Sequence, residues 1–408
     1  MITNLSYKKT RMAIIIASVL KEPFACIFPL LPFFLLKDLH SASSEIVLLS
    51  MLRPVSAFFS FYFSEHVTRK SVTLKNAMIW SGLLSFAGFI PALLTDNSFF
   101  YIFGATVYMI FTRAQIPAWM EVIKTNISKE KWEKSFSLGS IISYSTGVLY
   151  TIIFSAMMDS YTMSWKIPFA FALILASAGI FFQAALIDND HTVEKGSLGL
   201  KEKLYNPIKD SLILMREKRE FRHFQWAFMI GGLGLMIIQP VIPIYFTTTL
   251  QIKYSNLMTA FCICKALGFV CTTPFWTRLL KSISHSGFVV MVLVGFALFS
   301  FLLIFSSITI ECVFLSYFVY GVAQAGSHLI WHLSGPLFSG RESSARYSGV
   351  NIVMVGIRGL IGPLMGWILM QMLSAVSMFV TSMVLSLAGA AYYLYASMKK
   401  EVYYSITP

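Results

Sequence analysis

The sequence predicts an all-α integral membrane protein whose twelve membrane-crossing helices form two matched six-helix bundles. Three observations predict it: the apolar content, the one-sided placement of positive charge, and an internal repeat. Of the 408 residues, 56% are hydrophobic and 12% charged, and the mean hydropathy is +0.70. A soluble chain cannot bury that much apolar surface, so this one is best counted in bilayer crossings.

Twelve apolar segments follow in order at roughly 12–36, 44–63, 74–94, 98–120, 136–158, 165–187, 223–250, 256–276, 285–306, 309–332, 346–370 and 374–397. With the connections assigned alternately to two sides, 24 Lys and Arg fall on the side of the N-terminus, three on the other and five inside the membrane. This positive-inside bias puts both termini in the cytoplasm of a plasma or bacterial inner membrane. It accounts for the net charge of +13 and excludes nucleic acid as the partner. Lys8-Lys9-Thr10-Arg11 opens an apolar run without a small-residue cleavage site, which reads as an uncleaved first helix. The five cysteines, Cys26, Cys262, Cys264, Cys271 and Cys312, fall in or beside the segments and form no paired framework.

Slid over itself by 211 positions, the chain sets Pro29-Leu-Leu-Pro32 on Pro240-Val-Ile-Pro243. One inserted residue later, at an offset of 212, Arg53 meets Lys265, Arg69 meets Lys281, and Trp119 meets Trp331. Lys134 likewise meets Arg346, and Gly147 meets Gly359. A constant offset in matching positions predicts a parallel repeat about an axis along the membrane normal. The domains are then an N-terminal bundle over 1–187, a cytoplasmic linker over 188–222 and a C-terminal bundle over 223–408. The linker is polar and carries a short amphipathic stretch around Ile208 to Met215, suited to the membrane surface.

Several motifs resemble those of the major facilitator superfamily of secondary transporters, and the resemblance covers the whole chain. Phe61-Tyr-Phe-Ser-Glu65-His-Val-Thr68-Arg69-Lys70 sits where that family carries G-x-x-x-D-R-x-G-R-R, with Phe61 and Thr68 in place of glycines. Arg113-Ala-Gln115 takes the place of an R-x-x-Q element, and Ser164-Trp-Lys-Ile-Pro-Phe169 opens segment 6 in the family's style. Gly356-Ile-Arg-Gly359-Leu-Ile-Gly362-Pro363-Leu-Met-Gly366 is similar to its glycine-rich packing motifs. The resemblance implies the family's fold and alternating access. It also implies a cytoplasmic latch built on Glu65, Arg69 and Lys70, with Arg113 and Arg278 as further gating residues.

Lys21, Glu22, Arg53, Arg113, Lys265 and Arg358 lie inside the apolar segments. Each costs about 2.5–3.5 kcal/mol at the centre of a lipid-facing helix, so they are expected to face protein or water. They fall on segments 1, 2, 4, 8 and 11, all of which line the central cavity in the family that the chain resembles. Pro23 is expected to break segment 1 beside Lys21 and Glu22, and Arg53-Pro54 to repeat the device in segment 2. Adjacent helical residues point about 100° apart, so Lys21 and Glu22 should not share a direction. Ion pairs from Glu22 to Arg358 or Arg53 are the structural alternative to a role in transport.

Five cations against one acid attract anions. The expected function is therefore secondary active transport of an organic anion or phosphorylated metabolite. Lys21, Arg53, Lys265, Arg358 and Gln239 are the candidate binding residues, and Glu22 is the candidate proton carrier. Arg53 and Lys265, as repeat equivalents, could face one another across the cavity. The partners are the small solute, H+ or a counter-anion, and membrane lipid; a monomer is expected. With 21 Met and 36 Phe, a multidrug or lipid efflux pump is the alternative, and a non-transporting sensor or assembly factor is the alternative of another class. No Walker loop, G-x-S-x-G or H-E-x-x-H occurs, so neither an enzyme nor a cofactor is expected. His328 and His332 share a helical face without a third ligand nearby in sequence, which favours hydrogen bonding over zinc. Gly139, Ser143 and Gly147, and the glycines from 356 to 366, form stripes expected to pack the two halves together.

Overall fold

The computed structural model describes residues 4–70, 74–127, 129–159, 164–186, 209, 212–339 and 344–406. Every described segment is helical or connecting chain. Among the described residues, eight helices are long and apolar enough to cross a membrane, or nine when one bent pair counts as a single span. Each of the twelve expected segments nevertheless coincides with a helix or a run of helices.

The chain divides into two compact units. The first comprises Met1–Leu200 with Lys253–Met258. Its helices are α1 (Asn4–Leu20), α2 (Glu22–Ile27), α3 (Leu31–Lys37), α4 (Ser43–Lys70), α5 (Leu74–Ala87), α6 (Ile90–Leu94), α7 (Ser98–Asn126), α8 (Lys129–Asp159) and α9 (Lys166–Ala185). The second comprises Lys201–Ile252 and Thr259–Pro408. The helices after α9 are α10 (Arg219–Thr248), α11 (Tyr254–Met258), α12 (Lys265–Ser282), α13 (His285–Ile304), α14 (Ile310–Ser339), α15 (Ser344–Met370) and α16 (Ala375–Ile406). Of these, α11 clusters with the first unit. Of the expected linker, residues 188–208, 210 and 211 lie outside the described residues, and α10 begins four residues before the expected segment.

The repeat is visible in the packing. In the first unit α1 packs on α8 and α9, α4 on α7, and α5 on α7 and α9. In the second, α10 packs on α15 and α16, α12 on α14, and α13 on α14 and α16, which is the same scheme one repeat later. Equivalent positions touch in both units with different chemistry. Asn126 donates to the Thr10 hydroxyl at 3.0 Å, and both side chains are buried. Their equivalents, Phe338 and Phe221, pack ring against ring at 5.3 Å.

Three prolines shape the first segment. Lys21 caps α2, and Pro23 opens it. A proline contributes no backbone N–H, so the Val19 carbonyl loses its usual helical donor. The axis bends by 41° between Leu5–Leu20 and Glu22–Lys37. Pro29 and Pro32 then impose a 3₁₀ turn at Phe28–Leu30 and the restart at Leu31. The bend is held from below by rings: Phe24, 1% exposed, lies 4.8 Å from Tyr108, 5.3 Å from Phe86 and 5.6 Å from Phe169.

Two expectations are corrected. The helix α4 runs unbroken through Pro54, so segment 2 does not repeat the break. The break in the second unit takes another form: α11 runs into a π-helix, Thr259–Cys264, that ends directly before Lys265. Such wide turns leave backbone groups displaced from the helical ladder and recur at functional sites. The glycine stripes also pack within their own units. A Cβ at Gly139 would lie 2.8 Å from Ile14, one at Gly147 3.3 Å from Glu22, and one at Gly366 against the Ile237 carbonyl.

The start of α11 is fastened to the first unit by side chains. The Tyr254 hydroxyl donates to Asp38, the Ser255 N–H donates to Asp159 at 3.2 Å, and Lys37 stands 4.2 Å over the Tyr254 ring. Partial burial raises the Asp38 carboxyl above the ordinary aspartate range, against the lowering effect of the Tyr254 hydrogen bond and of Lys37.

Candidate binding cavity of the first unit

An open cavity of about 570 Å³ lies within the first unit, at the break between α1 and α2. That volume falls in the ordinary range for small-molecule sites, about 300–1,000 Å³. Its polar wall is made by Lys21, Glu22, Thr112, Gln115, Ser143, Tyr144 and Gln183. Lys21 and Glu22 both line this space without sharing a direction. The break separates them onto two walls: Lys21 reaches α9, where Nζ donates to the buried Gln183 Oε1 at 2.6 Å. Glu22 reaches the opposite neighbour, α8, and accepts from the Ser143 hydroxyl, with the Cys26 thiol at 3.9 Å. Neither charge has an ion-pair partner among the described residues.

Sequence reasoning missed most of this wall. Gln183 is 162 residues from Lys21, and nothing in its apolar surroundings on segment 6 marks it. Gln115 is tied to α5 through the Met78 carbonyl at 3.2 Å, which fixes its place on the wall.

The other candidate residues are distributed over both units. Arg53 is exposed on α4 and lies within electrostatic reach of Tyr108 and of the half-buried Arg113. Lys265 stands 5.7 Å over the Tyr320 ring. Tyr320 is the repeat equivalent of Tyr108, so both repeat-related cations stand near repeat-related tyrosines. Gln239 lies on α10 beside Pro240, with a buried Oε1 that has no hydrogen-bond partner among the described residues. Arg278 is exposed on α12, and the His328 ring packs edge-on against Phe269 at 5.3 Å. Glu65, Arg69 and Lys70 fall on α4, but their side chains, like that of His332, lie outside the described residues.

Arg358 departs from the role expected of it. Its side chain is buried at 6% exposure and donates from Nη1 to the Phe228 carbonyl at 2.5 Å. The guanidinium stands 5.0 Å over the Phe228 ring, and Trp331 stacks on that ring at 5.9 Å. One repeat earlier the same positions are cavity: Phe228 corresponds to Ala17, Trp331 to Trp119, and Gly232 to Lys21. A Cβ at Gly232 would collide with the Arg358 guanidinium, so this glycine admits the arginine. In the second unit, Phe228 and Arg358 therefore fill what the first unit leaves open.

A family model described as Major Facilitator Superfamily matches residues 23–363. No curated protein matches the chain in sequence. Among solved structures, the chain is similar to a POT family transporter in complex with 5-aminolevulinic acid, with a TM-score of 0.76 and 12% identity over 95% of this chain and 96% of that one. It is also similar to the nucleoside transporter NupG, with a TM-score of 0.71 and 14% identity over 95% and 99% of the two chains. A bacterial homolog of the human lysosomal transporter Spinster, inward-facing and unoccupied, gives 0.69 and 11% over 97% and 98%. At these identities the likeness is one of fold.

Proposed function

Because the chain belongs to the Major Facilitator Superfamily, we propose that it moves a small organic anion or phosphorylated metabolite by alternating access. It is an integral membrane protein with a transporter fold. The observation that carries it is the cavity at the α1–α2 break, where Lys21 offers two ammonium donors not engaged by Gln183. A cation in a low-dielectric, open cavity favours a solute that brings the compensating charge. Arg53 and Lys265 add positive charge along the solute's route, Gln239 offers a polar contact, and Glu22 carries the coupled proton. Glu65, Arg69, Lys70, Arg113 and Arg278 form the gating set. The protein works as a monomer in a plasma or bacterial inner membrane, with both termini cytoplasmic.

Uptake into proteoliposomes tests this reading. Carboxylated and phosphorylated solutes should accumulate, and Lys21→Ala should reduce their uptake at least tenfold. Transport of neutral or cationic compounds alone, unaltered by Lys21→Ala, Arg53→Ala and Lys265→Ala, would overturn it.

A further inference from the structure

We infer that the solute taken by the first-unit cavity is a zwitterion, an organic acid that also carries an ammonium group, rather than a plain anion. This rests on the transporter reading and keeps its acid group, adding to the solute a positive group that a plain anion lacks. The cavity holds one cation and one carboxylate, and their own contacts draw them apart. Lys21 is oriented toward α9 by Gln183, and Glu22 toward α8 by Ser143.

Hydrogen-bond capacity remains on both sides. An ammonium has three donors, of which Gln183 takes one; a carboxylate accepts at about four positions, of which Ser143 takes one and the weakly donating Cys26 thiol approaches another. A charge removed from water costs free energy unless it is paired. A plain anion would compensate Lys21 but bring like charge toward Glu22. A plain amine would do the reverse. A zwitterion compensates both walls at once, its carboxylate toward Lys21 and Gln183 and its ammonium toward Glu22 and Ser143.

The second unit supports the assignment by contrast. Its equivalent of Lys21 is Gly232, its equivalent of Glu22 is Leu233, and the volume is taken by Phe228 and Arg358. The paired charges thus stand at the open space of the first unit, while the equivalent positions in the second are Gly232 and Leu233, with the Arg358 guanidinium against Gly232. Trp119 and Tyr144 on the wall supply ring faces for the body of the solute.

The test uses a matched set of probes: phenylalanine, 3-phenylpropanoate and 2-phenylethylamine. Calorimetry on the full chain in lipid nanodiscs should rank phenylalanine at least tenfold tighter than either single-charge analogue. Glu22→Gln should bring 3-phenylpropanoate level with phenylalanine, and Lys21→Gln should do so for 2-phenylethylamine. The wild-type ranking stands by itself if either variant fails to fold. Equal binding of 3-phenylpropanoate and phenylalanine, equal weakening of all three by Glu22→Gln, or no binding of phenylalanine would each overturn the inference. If those results came with Lys21-dependent uptake of organic anions, the transporter reading would survive without the inference. If no solute moved in proteoliposomes, the transporter reading itself would fail.

Discussion

Lys265 holds its ammonium 5.7 Å from the centre of the Tyr320 ring, directly after the π-helix that interrupts its span. Tyr320 is also packed by Phe299 at 4.8 Å and Phe296 at 5.9 Å, so the ring that receives the cation is fixed. A cation over an aromatic face is worth about 0.5–2 kcal/mol, depending on desolvation. Because the ring face supplies this, Tyr320→Phe keeps the contact and Tyr320→Leu removes it, so the leucine variant should be the less stable of the two. Denaturant unfolding of the purified protein checks the order; equal losses would remove the ring face as the cause.

Gly232 and Arg358 make a second testable pair. Gly232→Ala forces a methyl into the guanidinium, and overpacking of this kind costs about 1–3 kcal/mol. Arg358→Met in the same chain should recover part of the loss, because its flexible thioether can yield. A double-mutant cycle reads the coupling, and additive effects would mean that the two positions do not touch.

The buried Thr10–Asn126 hydrogen bond has an aromatic counterpart in the second unit, and the two solutions differ in how they fail. Asn126→Ala strands the Thr10 hydroxyl in the core, at a cost of about 1–3 kcal/mol. Thr10→Val added to Asn126→Leu removes both polar groups and should be less damaging than the single change. Melting temperatures of the three variants give the comparison.

Asp38 makes the attachment of α11 dependent on pH. Its carboxyl is raised in the folded state, so the native protein holds this proton at a pH where the unfolded chain, with an aspartate near 3.9, releases it. The contribution is fully present below the unfolded value and is lost as pH rises through the folded one. Relative to wild type, Asp38→Asn should therefore flatten the loss of thermal stability as pH rises above the unfolded aspartate value. An unchanged slope would place the titrating group elsewhere.

The twelve segments and the repeat were legible because apolar runs and a constant offset survive in a single chain. The break at Lys21 was legible too, since Pro23 removes a donor whatever surrounds it. Pro54 carried the same local signal, yet α4 continues through it. The partners of Lys21 and Glu22 were not readable: Gln183 and Ser143 come from distant helices, and only packing brings them to one wall. Nor did any residue type announce that the repeat is unequal. Arg358 looked like a cavity charge and is instead held on a backbone carbonyl of its own unit.

That inequality supplies the most direct measurement. Ala17→Phe places in the first unit the residue that stands at position 228 in the second, and so fills the cavity with the molecule's own plug. Uptake into proteoliposomes should fall at least tenfold while the melting temperature stays within a few degrees of wild type. Undiminished uptake by the stable, filled protein would contradict the assignment of this cavity as the place where the solute binds.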